Sequence, residues 1–136
     1  MNLSDIRFHL VDDNDIDTSV NMKLLQLANI SSHVSTYSSA IKFLATIRDN
    51  QESFMQGRHI VLLDIMMPGM DGFECLAELE KMEAALTQNI HVFMLSSSID
   101  RTNISKAEKF EMVKRVIEKP LDVYTLKMAL EDLYSE

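Results

Sequence analysis

Tryptophan is absent from this 136-residue chain, cysteine occurs once, proline twice and glycine three times. A single cysteine, Cys75, excludes an internal disulfide framework, so packing must hold the fold. The thiol itself reads as an inert, core-facing group. No apolar run approaches the ~18 residues that a membrane span needs. The opening MNLSDIRF lacks the basic-then-apolar layout of a signal peptide. The expected compartment is therefore the cytoplasm. Basic residues are also short: 13 Lys and Arg against 21 Asp and Glu leave a formal charge of −8. That argues against nucleic acid or a membrane as the direct partner, because both need basic patches.

What is present is the composition of a globular domain, 46% hydrophobic and 25% charged. The length fits one domain spanning 1–136 with a real core. Strand-like and helix-like segments alternate. IRFHLV at 6–11 suits a strand, and Ile16, Val20, Leu24, Leu27 and Ala28 then recur at helical spacing. HVSTY at 33–37 is a short β-branched run, followed by Ala40, Ile41, Leu44 and Ala45 at helical spacing. Ile60 to Leu63 reads as a strand buried on both faces, and a helix follows with Phe73, Leu76 and Ala77 inward. IHVFML at 90–95 and VKRVIE at 113–118 are the fourth and fifth strands. A polar helix at 101–111 lies between them, its apolar face limited to Ile104, Ala107 and Phe110. The last helix carries Val123, Leu126, Leu130 and Leu133. The ten methionines read as core filler. Five βα units in succession predict an α/β fold, a doubly wound parallel sheet with helices on both faces.

In such sheets ligands collect at the carboxyl ends of the strands. Strand one delivers Asp12 and Asp13 there, strand three Asp64, strand four Ser96, and strand five Lys119 followed by Pro120. Two carboxylates about 5 Å apart at an effective dielectric of about 20 repel by roughly 3 kcal/mol. One lysine offsets part of that for three acids, and a divalent cation offsets the rest. Oxygen ligands with open water positions favour Mg²⁺, with Mn²⁺ as a substitute. His9, His33, His59 and His91 are scattered and show no metal-ligand spacing. A metal, a lysine and a hydroxyl around an acid also suit a phosphoryl group. With no catalytic His or Cys in view, a carboxylate is the group placed to attack phosphorus, and Asp64, on the most central strand, is the candidate.

Asp12-Asp13 after strand one, DIMMPGMDG after strand three, Ser96 after strand four and Lys119-Pro120 after strand five together resemble the receiver domain of two-component response regulators. Each landmark alone is common; the set, in this order, is specific. The resemblance implies a flavodoxin-like three-layer sandwich of strand order 2-1-3-4-5. It implies that Asp64 is the phosphoacceptor, and that Asp13, Asp64 and the backbone carbonyl of Met66 ligate Mg²⁺, with Asp12 acting largely through water. Ser96 would bond a phosphoryl oxygen, Lys119 would pair with the phosphoryl group, and Pro120 would follow a cis bond. Pro68, Gly69 and Gly72 would form a tight loop that brings backbone to the metal. The implied upstream partner is a sensor histidine kinase or a histidine phosphotransfer protein. The implied output is a downstream protein bound to the face of helix 101–111, strand 113–118 and the last helix. Such a protein is a switch that catalyses its own phosphorylation, not an enzyme acting on an external metabolite.

Two departures carry expectations. Many receivers have Phe or Tyr three residues before the strand-five lysine, where this chain has Val116. Signalling is then expected to run through Ser96 and the loop after strand four, without a swinging ring. The family positions that tune dephosphorylation hold Met66 and Ser98, neither of which offers a carboxylate or amide to orient water. A long-lived phosphoryl group is expected. Asp15 and Asp17 read as acids favoured at a helix N-terminus. Two competing functions remain on the same fold. A flavin-mononucleotide redox protein needs a phosphate cradle after strand one, which DDNDID would repel. A degenerate receiver acting only as an interaction module is disfavoured by the presence of all five landmarks. A stand-alone protein and one domain of a longer protein are both compatible with the chain.

Overall fold

The computed structural model describes residues 5–30 and 33–135. The outer residues of the expected 1–136 domain, 1–4 and 136, lie outside this description, as do 31 and 32. The chain opens with β1 (Ile6–Val11), α1 (Asp15–Leu27), β2 (Val34–Tyr37), α2 (Ala40–Asp49) and a short α3 (Gln51–Phe54). It continues through β3 (Arg58–Asp64), α4 (Gly72–Glu80), a short α5 (Ala84–Thr87) and β4 (Ile90–Ser96). It closes with α6 (Arg101–Glu108), β5 (Val113–Glu118) and α7 (Val123–Tyr134). The five strands form one parallel sheet in the order β2-β1-β3-β4-β5, as expected.

The strands alternate their side chains between two apolar layers, as the period-two geometry of a strand requires. Val61, Leu63, Val92 and Met94 pack against Phe43, Leu44, Cys75, Leu76 and Leu79 on one face. Ile60, Leu62, Phe93 and Leu95 pack against Leu25 of α1 and Leu126, Ala129 and Leu130 of α7 on the other. β3 is thus buried on both faces, which is why its sequence reads as a continuous apolar run. The longer helices start where a short polar side chain accepts backbone N–H groups: Asn14, Ser39, Asp71, Asp100 and Asp122. Asp71 and Glu74 complete a reciprocal capping box.

Several inward faces differ from those expected. The row Ile16, Val20 and Leu27 of α1 points to solvent, with exposures of 75%, 48% and 79%. The helix instead buries Asn21 and Leu25 and packs Met22 and Ala28 against the core. α1 carries two apolar rows, and packing against the sheet buries the second one. In α2, Phe43 and Ile47 replace Ile41 and Ala45 as core contacts, and in α4, Cys75 and Leu79 replace Ala77. Met55, Met66 and Met128 are exposed, so the methionines are not uniformly core.

The histidines are also less scattered than the sequence implies. His9 Nε2 and His59 Nδ1 lie 3.0 Å apart inside the sheet. His59 Nε2 faces the carbonyl oxygens of Ser53 and Gln56 at 2.9 and 2.8 Å, so that nitrogen carries the proton. His59 Nδ1 then accepts from His9 Nε2, and His9 Nδ1 accepts from the Tyr37 hydroxyl at 3.2 Å. Burial, reinforced by His59, pushes His9 down to about 3, so both rings stay neutral. Every ring nitrogen of the pair is used, leaving no lone pair for a metal. The chain of bonds ties the turn after α3 to β1 and β2.

One glycine positions the site. A Cβ on Gly72 would lie 2.7 Å from the Asp64 carbonyl oxygen and 3.0 Å from Ile65 Cα. The Gly72 N–H bonds the Ile65 carbonyl at 2.9 Å, so α4 begins pressed against the end of β3. Gly72→Ala is expected to lower stability by about 1–3 kcal/mol, because backbone must move to admit the methyl. A urea midpoint unchanged from wild type would contradict this close approach.

Candidate functional site

β1 and β3 are neighbours, so Val11 is paired with Leu63 and the residues that follow both strands emerge side by side. This brings Asp12, Asp13 and Asp64 together, with one carboxylate oxygen of each within 4.8 Å of the others. Asp12 and Asp64 are buried and Asp13 is exposed, so the group opens to solvent on one side. β5 delivers Lys119 from across the crevice, followed by a cis Lys119–Pro120 bond. The Lys119 backbone N–H is held by the Ser96 carbonyl at 2.8 Å, which fixes the start of its loop against β4.

The Lys119 ammonium sits at the centre of the charges. Its Nζ lies 3.4 Å from Asp12 Oδ2, 3.3 Å from Asp64 Oδ1 and 3.2 Å from Asp17 Oδ2. Burial alone would lower the lysine pKa, but Asp64, Asp12 and Asp17 outweigh it and hold the group above its ordinary value. Asp64 is displaced the other way. Burial, then repulsion from Asp12, raises its carboxyl to about 6 against the attraction of Lys119 and a hydrogen bond from the Met66 N–H. That bond is 3.3 Å long. Asp12 accepts from the Asn14 N–H at 2.9 Å, which aims its other oxygen into the crevice.

Ser96 is buried at the end of β4, but its hydroxyl is turned to its own loop. It donates to the Ser98 carbonyl and accepts from the Ser98 N–H at 3.2 Å. The exposed Met66 side chain, 72% accessible, stands at the rim. The structure therefore gathers Asp12, Asp13, Asp64 and Lys119 as expected, with Ser96 and Met66 at the margins. Asp17 is the residue the sequence reading set aside as a simple helix-terminal acid. The available signal was its place one turn beyond Asp13, on the helix that leaves the same strand.

Three carboxylates, one of them held at a raised pKa, form an oxygen-rich set with an open side. That donor chemistry fits a hard divalent cation such as Mg²⁺ and offers nothing to a soft one. An acidic crevice built around Lys119, at the carboxyl edge of a doubly wound parallel sheet, places this chain among α/β proteins whose site lies at the strand ends.

Comparison with known proteins narrows the class. Residues 8–131 match the family described as response regulator receiver domain. A two-component response regulator from Cytophaga hutchinsonii superimposes with a TM-score of 0.86 at 22% identity, covering 98% of this chain and 99% of that one. A response regulator receiver protein from Dyadobacter fermentans gives 0.83 at 27% identity, with coverages of 96% and 99%. The CheX-CheY-BeF3-Mg²⁺ complex from Borrelia burgdorferi gives 0.75 at 21% identity, with coverages of 96% and 90%. This chain belongs to the response regulator receiver domain family of two-component signalling. Receivers are phosphorylation-dependent signalling switches that bind Mg²⁺ at an acidic pocket. Among the described residues no helix is long and apolar enough to cross a membrane.

The raised Asp64 pKa has a consequence for stability in the metal-free protein. Between about 6 and the ordinary carboxyl value of 3.8, the folded state binds more protons than the unfolded state. The ionised, buried Asp64 thus weakens the fold most above that window, and the penalty fades as pH falls through it. Asp64→Asn is expected to raise the urea midpoint above the window and to converge with wild type below it. Equal midpoints at every pH would show that Asp64 is not strained by its neighbours.

Proposed function

We propose that this receiver is a phosphorylation switch in which Asp64 takes a phosphoryl group from a phosphohistidine. The observation that carries this reading is the convergence of Asp12, Asp13 and Lys119 on Asp64. An Asp64 carboxylate oxygen attacks phosphorus, the P–N bond breaks, and the imidazole leaves with the electron pair and later takes a proton. Lys119 neutralises charge on the transferred oxygens, and the Ser96 hydroxyl donates to one of them once it leaves Ser98. Asp13, Asp64 and the Met66 carbonyl would hold Mg²⁺, with Asp12 acting through water. The bound metal would spread the negative charge that builds on the phosphoryl oxygens.

The bonding of Ser96 to Ser98 supports a switch through the loop after β4. While Ser96 bonds both backbone groups of Ser98, that loop is pinned. Turning the hydroxyl to a phosphoryl oxygen frees it. Val116 has no ring to move, and a groove of about 260 Å³ beside it, lined by Ile104, Ala107, Val113 and Val116, already opens between α6 and β5. This α6-β5-α7 face would receive the downstream protein. The upstream partner, a histidine kinase or histidine phosphotransfer protein in the cytoplasm, would dock on α1. Its exposed Ile16 and Val20 flank Asp17, which reaches into the crevice.

Incubation with Mg²⁺ and a small phosphodonor is expected to add one phosphoryl mass to wild type and none to Asp64→Asn. The phosphoryl group should then be lost slowly, since neither Met66 nor Ser98 offers a carboxylate or amide to orient water. Labelling of Asp64→Asn, or loss within seconds, would refute these two points respectively. Ile16→Ala with Val20→Ala is expected to slow transfer from a phosphohistidine-bearing donor protein by roughly tenfold, as hot-spot residues do. The rate with the small phosphodonor should stay unchanged; parallel loss of both rates would place the defect in the crevice and not in docking.

A further inference from the structure

Among the described residues Lys119 is the cation that the crevice acids share. Asp12 and Asp64 are 4% and 5% exposed, and Asp12 holds a second bond from the Asn14 N–H. Asp17 comes from a different element, the first turn of α1, and its side chain is 40% exposed. It nonetheless makes the shortest of the three contacts, 3.2 Å. Among the described residues no other salt bridge reaches α1.

An ammonium has three donors; here Lys119 donates to Asp12 and Asp17 at 3.4 and 3.2 Å and pairs with Asp64 Oδ1 at 3.3 Å. A phosphoryl group on Asp64 takes over the contact that faced the Asp64 carboxylate, and its higher charge and additional oxygens draw on a second donor, so Asp12 or Asp17 gives way. Releasing Asp12 would leave a buried acid short of its partner, which is costly. Releasing Asp17 exposes a carboxylate that water solvates at once, which costs little.

We infer that Asp17 is a positioning residue that competes with the phosphoryl group for Lys119, tethering the first turn of α1 to the crevice until Asp64 is phosphorylated. This rests on Asp64 being the phosphoacceptor. Phosphorylation moves Lys119 from Asp17 to the phosphoryl oxygens and unties the turn that carries Ile16. The face that docks the phosphodonor is thereby loosened by the product of the transfer.

The experiment compares phosphorylation rates with acetyl phosphate and Mg²⁺ for wild type, Asp17→Asn, Asp17→Glu and Asp15→Asn. Asp15 lies on the same turn, so its replacement removes the same charge without touching the Lys119 contact. Asp17→Asn should accelerate phosphorylation by roughly two- to fivefold, the range a partly exposed ion pair supports. Asp17→Glu should restore the wild-type rate, and Asp15→Asn should leave it unchanged. A second readout is hydrogen exchange at the first-turn amides of α1. It should quicken when beryllium fluoride and Mg²⁺ are added to wild type, and be already fast and unresponsive in Asp17→Asn. An Asp17→Asn rate equal to or below wild type, or equal acceleration by Asp15→Asn, overturns the competition. Unchanged exchange in wild type overturns the tether. A wild type that takes no phosphoryl group refutes the reading of Asp64, and this inference with it.

Discussion

The site depends on one ammonium placed among carboxylates that would otherwise repel one another. Lys119 stands within 3.4 Å of Asp12 just after β1, Asp17 in the first turn of α1 and Asp64 at the end of β3. Its charge is too small for the acids it serves, and the deficit is the useful property. Burial, then Asp12, holds the Asp64 carboxyl up at about 6 against the pull of Lys119, and the crevice keeps an unmet demand for positive charge. A hard cation would meet that demand and turn a crevice that repels anions into one that attracts them.

The rest of the fold keeps these groups in place. Two apolar layers grip β3 from both faces, so the strand that presents Asp64 has little freedom to shift. Gly72 lets α4 start against the carbonyl of Asp64, closing the loop that contains Met66. The Tyr37–His9–His59 chain of hydrogen bonds ties β2 and the turn after α3 to the sheet with neutral rings. Buried apolar packing lies under the crevice, and the Ser96–Ser98 loop, the exposed Met66 side chain and the first turn of α1 stand at its rim.

Sequence patterns succeeded where period and burial coincide. β1 and β5 appear at the expected residues, and the stripe Leu126 and Leu130 of α7 is buried as its spacing implies. They failed where a helix offers two apolar rows. In α1 both Ile16–Val20–Leu27 and Leu25 with its neighbours satisfy helical spacing, and only contact with the sheet chooses between them. The rejected row became the exposed face beside the crevice. Asp17 failed for a related reason: it and Asp15 are equivalent as helix-terminal acids, and only the path of β5 places Lys119 beside one of them. The His9–His59 contact needs the parallel pairing of β1 and β3, which no local pattern states.

The chain's own order of residues determined the alternation of strands and helices, the strand-end positions of Asp12, Asp13, Asp64, Ser96 and Lys119, and hence the family. Those features follow from local periodicity and from acids that have no other use at the ends of buried strands. The tertiary structure alone decided which helix faces stay in water, which acid shares the lysine and how far the Asp64 carboxyl is displaced. Each of these depends on distances between segments remote in sequence, and electrostatic and burial energies are set by those distances rather than by composition.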